Sequence, residues 1–120
     1  KYYLYCDAIA IPSFYDGMPN VLLEAGALGI PLIASEVDGM KDVIQSNQSG
    51  LLFKSGDASA CRRAFLDFAK LGPDSRKQLG VNLKSTVETF YHVELETNHY
   101  EKLFSALLNA DRTAVRLHVQ

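Results

Sequence analysis

Residues 8–24 read Ala-Ile-Ala-Ile-Pro-Ser-Phe-Tyr-Asp-Gly-Met-Pro-Asn-Val-Leu-Leu-Glu, and this stretch carries the clearest structural pattern in the chain. Its first five residues, 8–12, predict a short, fully buried strand that is apolar on both faces, as strands of parallel sheets are. Pro19 suits the first position of a helix that runs to about Leu28. Gly29 suits the left-handed residue that closes such a helix. The stretch therefore predicts a strand, a tight turn and a helix, in that order.

The alternation of strands and helices continues through the first half of the chain. Apolar residues predict a second strand at Pro31–Ser35 and a third at Leu51–Phe53. A short helix is predicted at Lys41–Gln45 and a turn at Asn47–Gly50. Strands that alternate with helices are typical of parallel sheets. We therefore expect an α/β fold, with a partial doubly wound (Rossmann-like) parallel sheet flanked by helices.

The second half of the chain is predicted to be helical. Asp57 suits the N-cap of a helix that runs to about Leu71, where Gly72 and Pro73 break it. The apolar face of this helix is predicted to comprise Ala60, Ala64, Phe65, Phe68 and Ala69. A further helix is expected over Pro73–Glu88, and a last one from about Val93. The chain is thus expected to end in a helical tail.

Size and composition limit the class of protein. The 120 residues fit one domain at most, and 48% apolar with 22% charged residues is ordinary for a soluble globular domain. A net charge of -2 gives no electrostatic reason to expect nucleic acid as a partner. The chain carries neither the roughly 20 apolar residues of a membrane span nor a secretory signal at its first residues. A cytoplasmic location is expected, with the inner face of a membrane as an alternative.

Cysteine and histidine residues form no metal-binding pattern. Cys6 and Cys61 lack metal-ligand spacing, and two reduced thiols are favoured over a disulfide. The histidines at positions 92, 99 and 118 form no cluster with carboxylates, which favours surface or helix-flank positions. No metal and no other cofactor are expected.

Two carboxylates flank the turn that follows the first strand. Asp16 precedes the predicted helix and Glu24 lies one to two turns into it, with seven residues between them. Gly17 and Pro19 allow a tight turn whose backbone N–H groups can face a ligand. Carboxylates accept hydrogen bonds from sugar hydroxyls, and the amides at a helix start attract anionic oxygens. This pattern suits a nucleotide sugar, although a turn acid and a solvated helix residue is the alternative.

The carboxyl ends of the first two strands are expected to share one cleft. Ligands of doubly wound sheets bind beyond the carboxyl ends of strands. The segments Ser13–Asp16 and Glu36–Gly39 both follow such ends. Phe14 and Tyr15 lie in the first segment, where stacking on a base is an alternative to a core or rim position.

Several segments resemble the retaining glycosyltransferases of the GT-B fold, called glycosyl transferases group 1. They are residues 12–25 (Pro-Ser-Phe-Tyr-Asp-Gly-Met-Pro-Asn-Val-Leu-Leu-Glu-Ala), 29–35 (Gly-Ile-Pro-Leu-Ile-Ala-Ser), Gly39 and 50–53 (Gly-Leu-Leu-Phe). The likeness spans roughly residues 1–108. It implies that residues 1–120 are the carboxyl-terminal portion of a nucleotide-sugar-binding domain, a fragment of a two-domain enzyme.

The resemblance implies roles for the residues that match. Glu24 would accept hydrogen bonds from ribose, and Asp16 would accept one from the donor sugar and is the candidate for a catalytic role. The donor-binding set would be Asp16, Gly17, Met18, Pro19, Asn20, Val21 and Glu24, with Ser13, Asp38 and Gly39 at the rim of the site. Three departures from the family are Asp16 for glutamate, Asp38 for the first glycine of a pair, and Asp42 for glutamate.

The resemblance also implies an activity. A sugar would pass from a nucleoside diphosphate to a hydroxyl of a glycan, lipid or small molecule, with retention of configuration and without a metal. The arginine and lysine that bind phosphate in this family lie upstream, as does the amino-terminal domain, so the 120 residues alone are expected to be inactive. One alternative is a catalytically inactive nucleotide-sugar-binding or interaction module. Another is a nucleotide-sugar epimerase.

Two groups of apolar or aromatic residues lie outside the segments of the predicted site. Tyr2, Tyr3 and Tyr5 are predicted to form a helix end packed under the sheet, with peripheral membrane association as the alternative. The apolar residues between Leu103 and Leu108 are expected to be exposed, and exposed apolar stripes tend to find partners. Self-association of the chain is therefore expected.

Overall fold

The computed structural model describes residues 2–109, which divide after Phe90 into two compact units. The first unit contains a three-stranded sheet and its helices, and the second contains one helix. The elements are a 3-10 turn Tyr2–Tyr5, β1 Ile9–Ile11, α1 Asn20–Leu28, β2 Leu32–Ser35, α2 Asp38–Lys41, β3 Gly50–Phe53, α3 Ala58–Lys70, α4 Pro73–Phe90 and α5 Val93–Asn109.

The sheet is parallel throughout, with the strand order β1-β2-β3. Ile9 pairs with Leu32, and Leu32 pairs in turn with Gly50. All four residues of β2 are buried. Because successive side chains of a strand point to opposite faces, both faces of β2 are covered. The structure confirms the α/β class, the parallel sheet with flanking helices and the helical tail.

A hydrophobic cluster joins the sheet to α3 and α4. The strands contribute alternate residues, since Ile33, Leu51 and Phe53 point to the same side. The buried members of the cluster are Ile33, Leu51, Phe53, Ala64, Phe68 and Leu79. Ala64 and Phe68 lie four residues apart on α3, so a single stripe of that helix faces the sheet. Phe65 is 45% exposed and Ala69 is also exposed, so the predicted apolar face of α3 is too wide.

α1 begins one residue later than predicted and ends at the predicted residue, Leu28. Gly29 has φ 69° and ψ 30°, and its backbone N–H caps the helix by bonding to the carbonyls of Ala25 and Gly26. This is the left-handed closure expected from the sequence. Pro19, however, is the N-cap rather than the first helical residue, because its ψ of 137° is extended.

The short helix after β2 begins earlier than predicted. It spans Asp38–Lys41, and hydrogen-bonded turns continue it to Ile44. Met40 and Ile44 are both almost fully buried, four residues apart. The helix therefore starts early enough to place Met40 in the core, although Gly39 is a poor helix former.

Glycines allow α1 and α4 to approach closely. Gly26 and Gly80 are buried. A Cβ at position 80 would overlap the carbonyl oxygen of Gly29, and one at position 26 would press on the side chain of Val87. The contact between the two helices therefore requires a residue without a side chain at position 80.

Asp57 is the N-cap of α3, as predicted. Its Oδ1 accepts a hydrogen bond from the backbone N–H of Ala60 at 2.8 Å. This bond, with lesser contributions from the N–H of Ser59 and from Arg63 and Lys54, lowers the pKa of the Asp57 carboxyl below its ordinary 3.8.

We expect the cap of α3 to weaken in acid. A lowered folded-state pKa means that the stability contributed by ionised Asp57 is present above pH 3.8 and is lost as the pH falls through the folded-state value. Asp57→Asn keeps a good capping group that does not titrate. Urea unfolding at a series of pH values should therefore show the wild type losing stability relative to D57N below about pH 4. Parallel curves for the two proteins would contradict this role.

The tyrosines at the start of the chain are not packed under the sheet. No residue of the turn Tyr2–Tyr5 is buried, and Tyr2 and Tyr5 are 87% and 83% exposed. The prediction of a buried helix end is therefore wrong. In a 3-10 turn, side chains three residues apart lie on the same side. Tyr2 and Tyr5 therefore face one side and Tyr3 another, so the turn cannot direct all three rings at the sheet. The polar hydroxyls also allow the exposed rings to remain in water.

The second unit, α5, is a helix with a partly exposed apolar face. Tyr100 and Phe104 stack with ring centroids 6.2 Å apart. Leu103 and Leu107 are about half exposed and Leu108 is 86% exposed. This agrees with the expected exposure, while self-association through these residues stays a prediction.

The thiols of Cys6 and Cys61 are both free. His92 and His99 are exposed on or beside α5, whereas His118 lies outside the described residues. None of the helices within residues 2–109 combines the length and the apolar character needed to cross a bilayer.

Candidate functional site

The carboxyl end of β1 continues into a loop, residues 13–19, that connects the strand to α1. This loop lies against the start of α2, because the backbone N–H of Gly39 donates a hydrogen bond to the carbonyl oxygen of Asp16 at 3.4 Å. The structure therefore brings together Ser13–Asp16 and Glu36–Gly39, the two segments that the sequence placed at one edge of the sheet.

Gly39 is what permits this contact. It is buried, and a Cβ at its position would overlap the carbonyl oxygen of Gly17. A Cβ at position 17, by contrast, would have no heavy atom within 4 Å, and Gly17 does not have a positive φ. The absence of a side chain is thus essential at position 39 and sterically unimportant at position 17.

A third loop, which follows β3, also contacts the first. The hydroxyl of Ser55, which follows β3, donates a hydrogen bond to the carbonyl oxygen of Ser13 at 3.1 Å. The ring of Phe14 lies beside Gly56, where a Cβ would come within 3.5 Å of it. Phe14 and Tyr15 are nevertheless 82% and 88% exposed. These aromatic side chains therefore lie on the rim of the site and not in the core.

The residues predicted to bind the donor are accessible. Gly17, Met18, Asn20 and Val21 are exposed, whereas Asp16 and Pro19 are half buried. The rim residue Ser13 is also half buried, and Asp38 is exposed. The predicted set therefore lies on one loop and the helix that follows it, with Asp38 and Gly39 beside that loop.

The start of α1 offers free backbone N–H groups. Pro19 makes no side-chain capping bond, and the first turn contains no acidic residue. The N–H groups of Asn20 and Val21 find no acceptor within residues 2–109. Unpaired N–H groups and the positive end of the helix dipole attract anionic oxygens. This end of α1 is therefore suited to a phosphate group.

Glu24 is exposed on α1, and one of its oxygens is already engaged. The hydroxyl of Tyr3 donates a hydrogen bond to Oε2 of Glu24 at 2.9 Å. This bond, together with partial burial and the negative charge of Glu24, raises the pKa of the Tyr3 hydroxyl above its ordinary value. The Tyr3 hydroxyl therefore keeps its proton and stays the donor of this hydrogen bond.

Tyr3 is a residue of this site that the sequence does not reveal. The sequence pattern assigns the tyrosine cluster to packing under the sheet. A hydroxyl-bearing ring at position 3 and a carboxylate at position 24 carry no local signal of their contact, because 21 residues separate them.

The rim carries a charged pair. Lys41 Nζ lies 2.7 Å from Asp38 Oδ1, and both side chains are more than half exposed. The hydrogen bond from Lys41 and its charge lower the pKa of Asp38, and the same contacts raise the pKa of Lys41. The additional carboxylate at the rim is thus paired with a cation.

The carboxylates of the site do not form a metal-binding group among the described residues. Within the part of the chain that the structure describes, no group of three or more His, Cys, Asp or Glu residues could hold an ion. Its chemistry is that of carboxylate acceptors, backbone N–H donors and exposed aromatic rims. Such groups bind hydroxyls and phosphates.

The chain is similar to known proteins in sequence and in fold. The chain is 28% identical over 106 residues to N-acetyl-alpha-D-glucosaminyl L-malate synthase of Bacillus anthracis, covering 88% of this chain and 28% of that protein. Its structure resembles sucrose-phosphate synthase of Thermosynechococcus elongatus with a TM-score of 0.86 and 29% identity, covering 92% of this chain and 27% of that one.

A third similar protein was solved with ligands. It is HepE of Anabaena, in complex with UDP and glucose, with a TM-score of 0.81 and 16% identity, covering 88% of this chain and 29% of that one. At this identity the likeness shows a shared fold. The chain spans 27–29% of the length of these three proteins.

The family model for glycosyl transferases group 1 matches residues 1–86, which include the sheet, the loop at residues 13–19 and most of α4. The match covers well over half of the chain, and the structural neighbours agree with it. The chain therefore belongs to the glycosyl transferases group 1 family.

Proposed function

We propose that this chain supplies part of the donor site of a retaining glycosyltransferase. The enzyme would transfer a hexose or related sugar from a nucleoside diphosphate to a hydroxyl of a glycan, lipid or small molecule. The observation that carries this proposal is the arrangement of Asp16 and Glu24 on either side of a helix start with free N–H groups. The complex of HepE with UDP and glucose supports it through a shared fold. A cytoplasmic location, free or at the inner face of a membrane, belongs to the same proposal.

The proposed roles follow from the chemistry of each group. Glu24 accepts hydrogen bonds from the ribose, and Asp16 accepts one from a hydroxyl of the donor sugar. The backbone N–H groups at residues 17–21, apart from Pro19, meet the diphosphate and the sugar. These groups act by positioning and by charge stabilisation, so neither carboxylate needs to exchange a proton with the substrate.

The chain cannot supply all of the catalytic power in this proposal. The bond from the sugar to the diphosphate breaks, and the acceptor oxygen bonds to the sugar and passes its proton to the leaving diphosphate. Negative charge grows on that diphosphate in the transition state. Amides at a helix start stabilise that charge partially, and within residues 2–109 no lysine or arginine hydrogen-bonds to the loop at residues 13–19. We therefore expect basic residues and the acceptor site outside these 120 residues, and no useful turnover from the 120 residues alone.

We expect Glu24→Ala to weaken nucleotide binding by the full-length protein about 10- to 100-fold, because the ribose hydroxyls lose a charged acceptor. Calorimetric titration with UDP, GDP and their sugar conjugates measures this. Asp16→Asn should weaken the binding of the sugar conjugates only, because the free nucleotides lack the sugar hydroxyl that Asp16 binds. The two variants therefore separate ribose recognition from sugar recognition.

A matched control for Glu24 is available on α4. Glu88 is an exposed helical glutamate, and its nearest ionic partner is Lys84 at 3.7 Å. Glu88→Ala should leave all affinities unchanged. If Glu24→Ala changes nucleotide affinity no more than Glu88→Ala does, the proposed donor site is wrong.

A second candidate is a catalytically inactive nucleotide-sugar-binding or interaction module. It is favoured by Asp16, whose side chain is one methylene shorter than the family's glutamate, and by the additional carboxylate of Asp38 at the rim. A transfer assay on the full-length protein discriminates the two candidates. Donor binding without transfer to any acceptor would favour the inactive module.

A further inference from the structure

Tyr3 is held in a defined position beside α1. The backbone N–H of Cys6 donates to the carbonyl oxygen of Tyr3 at 3.1 Å and closes the turn Tyr2–Tyr5. The N–H of Ile9 then bonds to the carbonyl of Pro31 and attaches the next residues to the sheet. Of the three tyrosines in this turn, only Tyr3 is partly buried. Its hydroxyl can therefore serve as a fixed point for another side chain.

The hydrogen bond from Tyr3 leaves the Glu24 carboxylate able to accept further hydrogen bonds. Tyr3 occupies one acceptor position on Oε2, at 2.9 Å. Within residues 2–109 no other side chain hydrogen-bonds to Glu24 and no basic side chain pairs with it. A carboxylate has about four acceptor positions, so Oε1 and one position on Oε2 remain free. A vicinal diol, which offers two O–H donors, requires that arrangement.

The nature of the donor matters as much as its place. An exposed glutamate has several rotamers, and holding one of them before the ligand arrives reduces the entropy lost on binding. A lysine or arginine in place of the tyrosine would orient the carboxylate but would also neutralise its charge. A neutral hydroxyl orients Glu24 and leaves its negative charge for the ligand.

We propose that Tyr3 is a positioning residue for ribose recognition, whose hydroxyl holds Glu24 so that its free acceptor positions meet the 2′- and 3′-hydroxyls of a nucleoside diphosphate. This inference rests on the proposed role of Glu24. It assigns to the first turn of the chain a part in distinguishing ribonucleotides from their deoxy analogues. The discrimination arises because an analogue without these hydroxyls gains nothing from an oriented carboxylate.

The test uses Tyr3→Phe in the full-length protein, with Tyr5→Phe as a matched control. Tyr5 lies in the same turn and its hydroxyl makes no hydrogen bond within the described residues. Y3F should weaken binding of UDP about three- to tenfold and leave 2′,3′-dideoxy-UDP unchanged, while Y5F should change neither. The same titrations with GDP and its dideoxy analogue cover the other common base. Loss of affinity for the dideoxy analogue to the same degree would overturn the inference, since it would show a structural effect.

A double-mutant cycle with Glu24→Ala separates this inference from the proposed function. If Tyr3 acts through Glu24, adding Y3F to E24A should lower UDP affinity no further than E24A alone. Additive losses would overturn the role of Tyr3 and leave that of Glu24 standing, as would a loss in E24A with none in Y3F. No loss in E24A would overturn the proposed function itself and the inference with it. Both variants alter side chains that are not buried, so their melting temperatures should stay within about 2 °C of the wild type.

Discussion

Replacement of Gly39 by alanine is expected to abolish nucleotide binding, with a loss of at least about 100-fold in affinity. The new Cβ would overlap the carbonyl oxygen of Gly17, a backbone atom that cannot move without displacing the loop at residues 13–19. Displacement breaks the hydrogen bond between the N–H of Gly39 and the carbonyl of Asp16. It also moves the Asp16 carboxylate and the N–H groups that follow it. Calorimetric titration of the full-length protein with UDP and GDP measures the loss.

The same substitution should also cost stability. Overpacking of this kind typically costs about 1–3 kcal/mol, and here the obstacle is backbone. Gly17→Ala is the matched control for this effect, because position 17 has open space and no positive φ. We expect urea unfolding to place G17A within about 0.5 kcal/mol of the wild type and G39A well below it. Equal stability of the two variants would show that the loops do not meet as the structure has them.

Features that depend on neighbours in sequence can be predicted well. Gly29 closes α1 and Asp57 caps α3, because each of these residues acts on backbone groups within four positions of itself. The three strands are predictable from their runs of apolar residues. The expectation that the first strand is fully buried is wrong, because β1 has a partner on one side only among the described strands, and Ala10 is exposed. Periodicity alone makes the apolar face of α3 too wide, because it does not tell how much of a helix surface its neighbours cover.

Features that depend on tertiary contacts are not predicted from the sequence. α2 begins at Asp38 because the core takes up Met40, and the low helix propensity of Gly39 argues against a start at this position. The hydrogen bond from Tyr3 to Glu24 spans 21 residues. The candidate site is therefore recognisable on its contiguous loop and helix start, residues 13–24, through a family motif. Tyr3 and Ser55, which contact the site from other parts of the chain, can be identified only from the structure.

A second large effect is expected at the contact between α1 and α4, far from the loops of the site in sequence. Gly80→Ala places a Cβ against the carbonyl oxygen of Gly29, which is the residue that caps α1. Alanine is favoured over glycine in a helix by about 1 kcal/mol, which opposes the cost of the overlap. Overpacking against backbone typically costs about 1–3 kcal/mol and occasionally more. The cost of the overlap should exceed the gain in helix propensity, because neither α1 nor α4 can shift without opening the buried contacts of Leu22 and Leu83.

The net destabilisation expected for Gly80→Ala is about 2 kcal/mol, measured by urea unfolding with the slope of the transition unchanged. Gly72→Ala is the control, because position 72 precedes α4, has no heavy atom within 4 Å of a side-chain position and does not have a positive φ. It makes the same chemical change and restricts the unfolded chain in the same way, so it should be neutral or stabilising by up to about 1 kcal/mol. The difference between the two variants therefore measures the overlap itself. If Gly80→Ala is as stable as Gly72→Ala, the two helices lie further apart than the glycine contact requires.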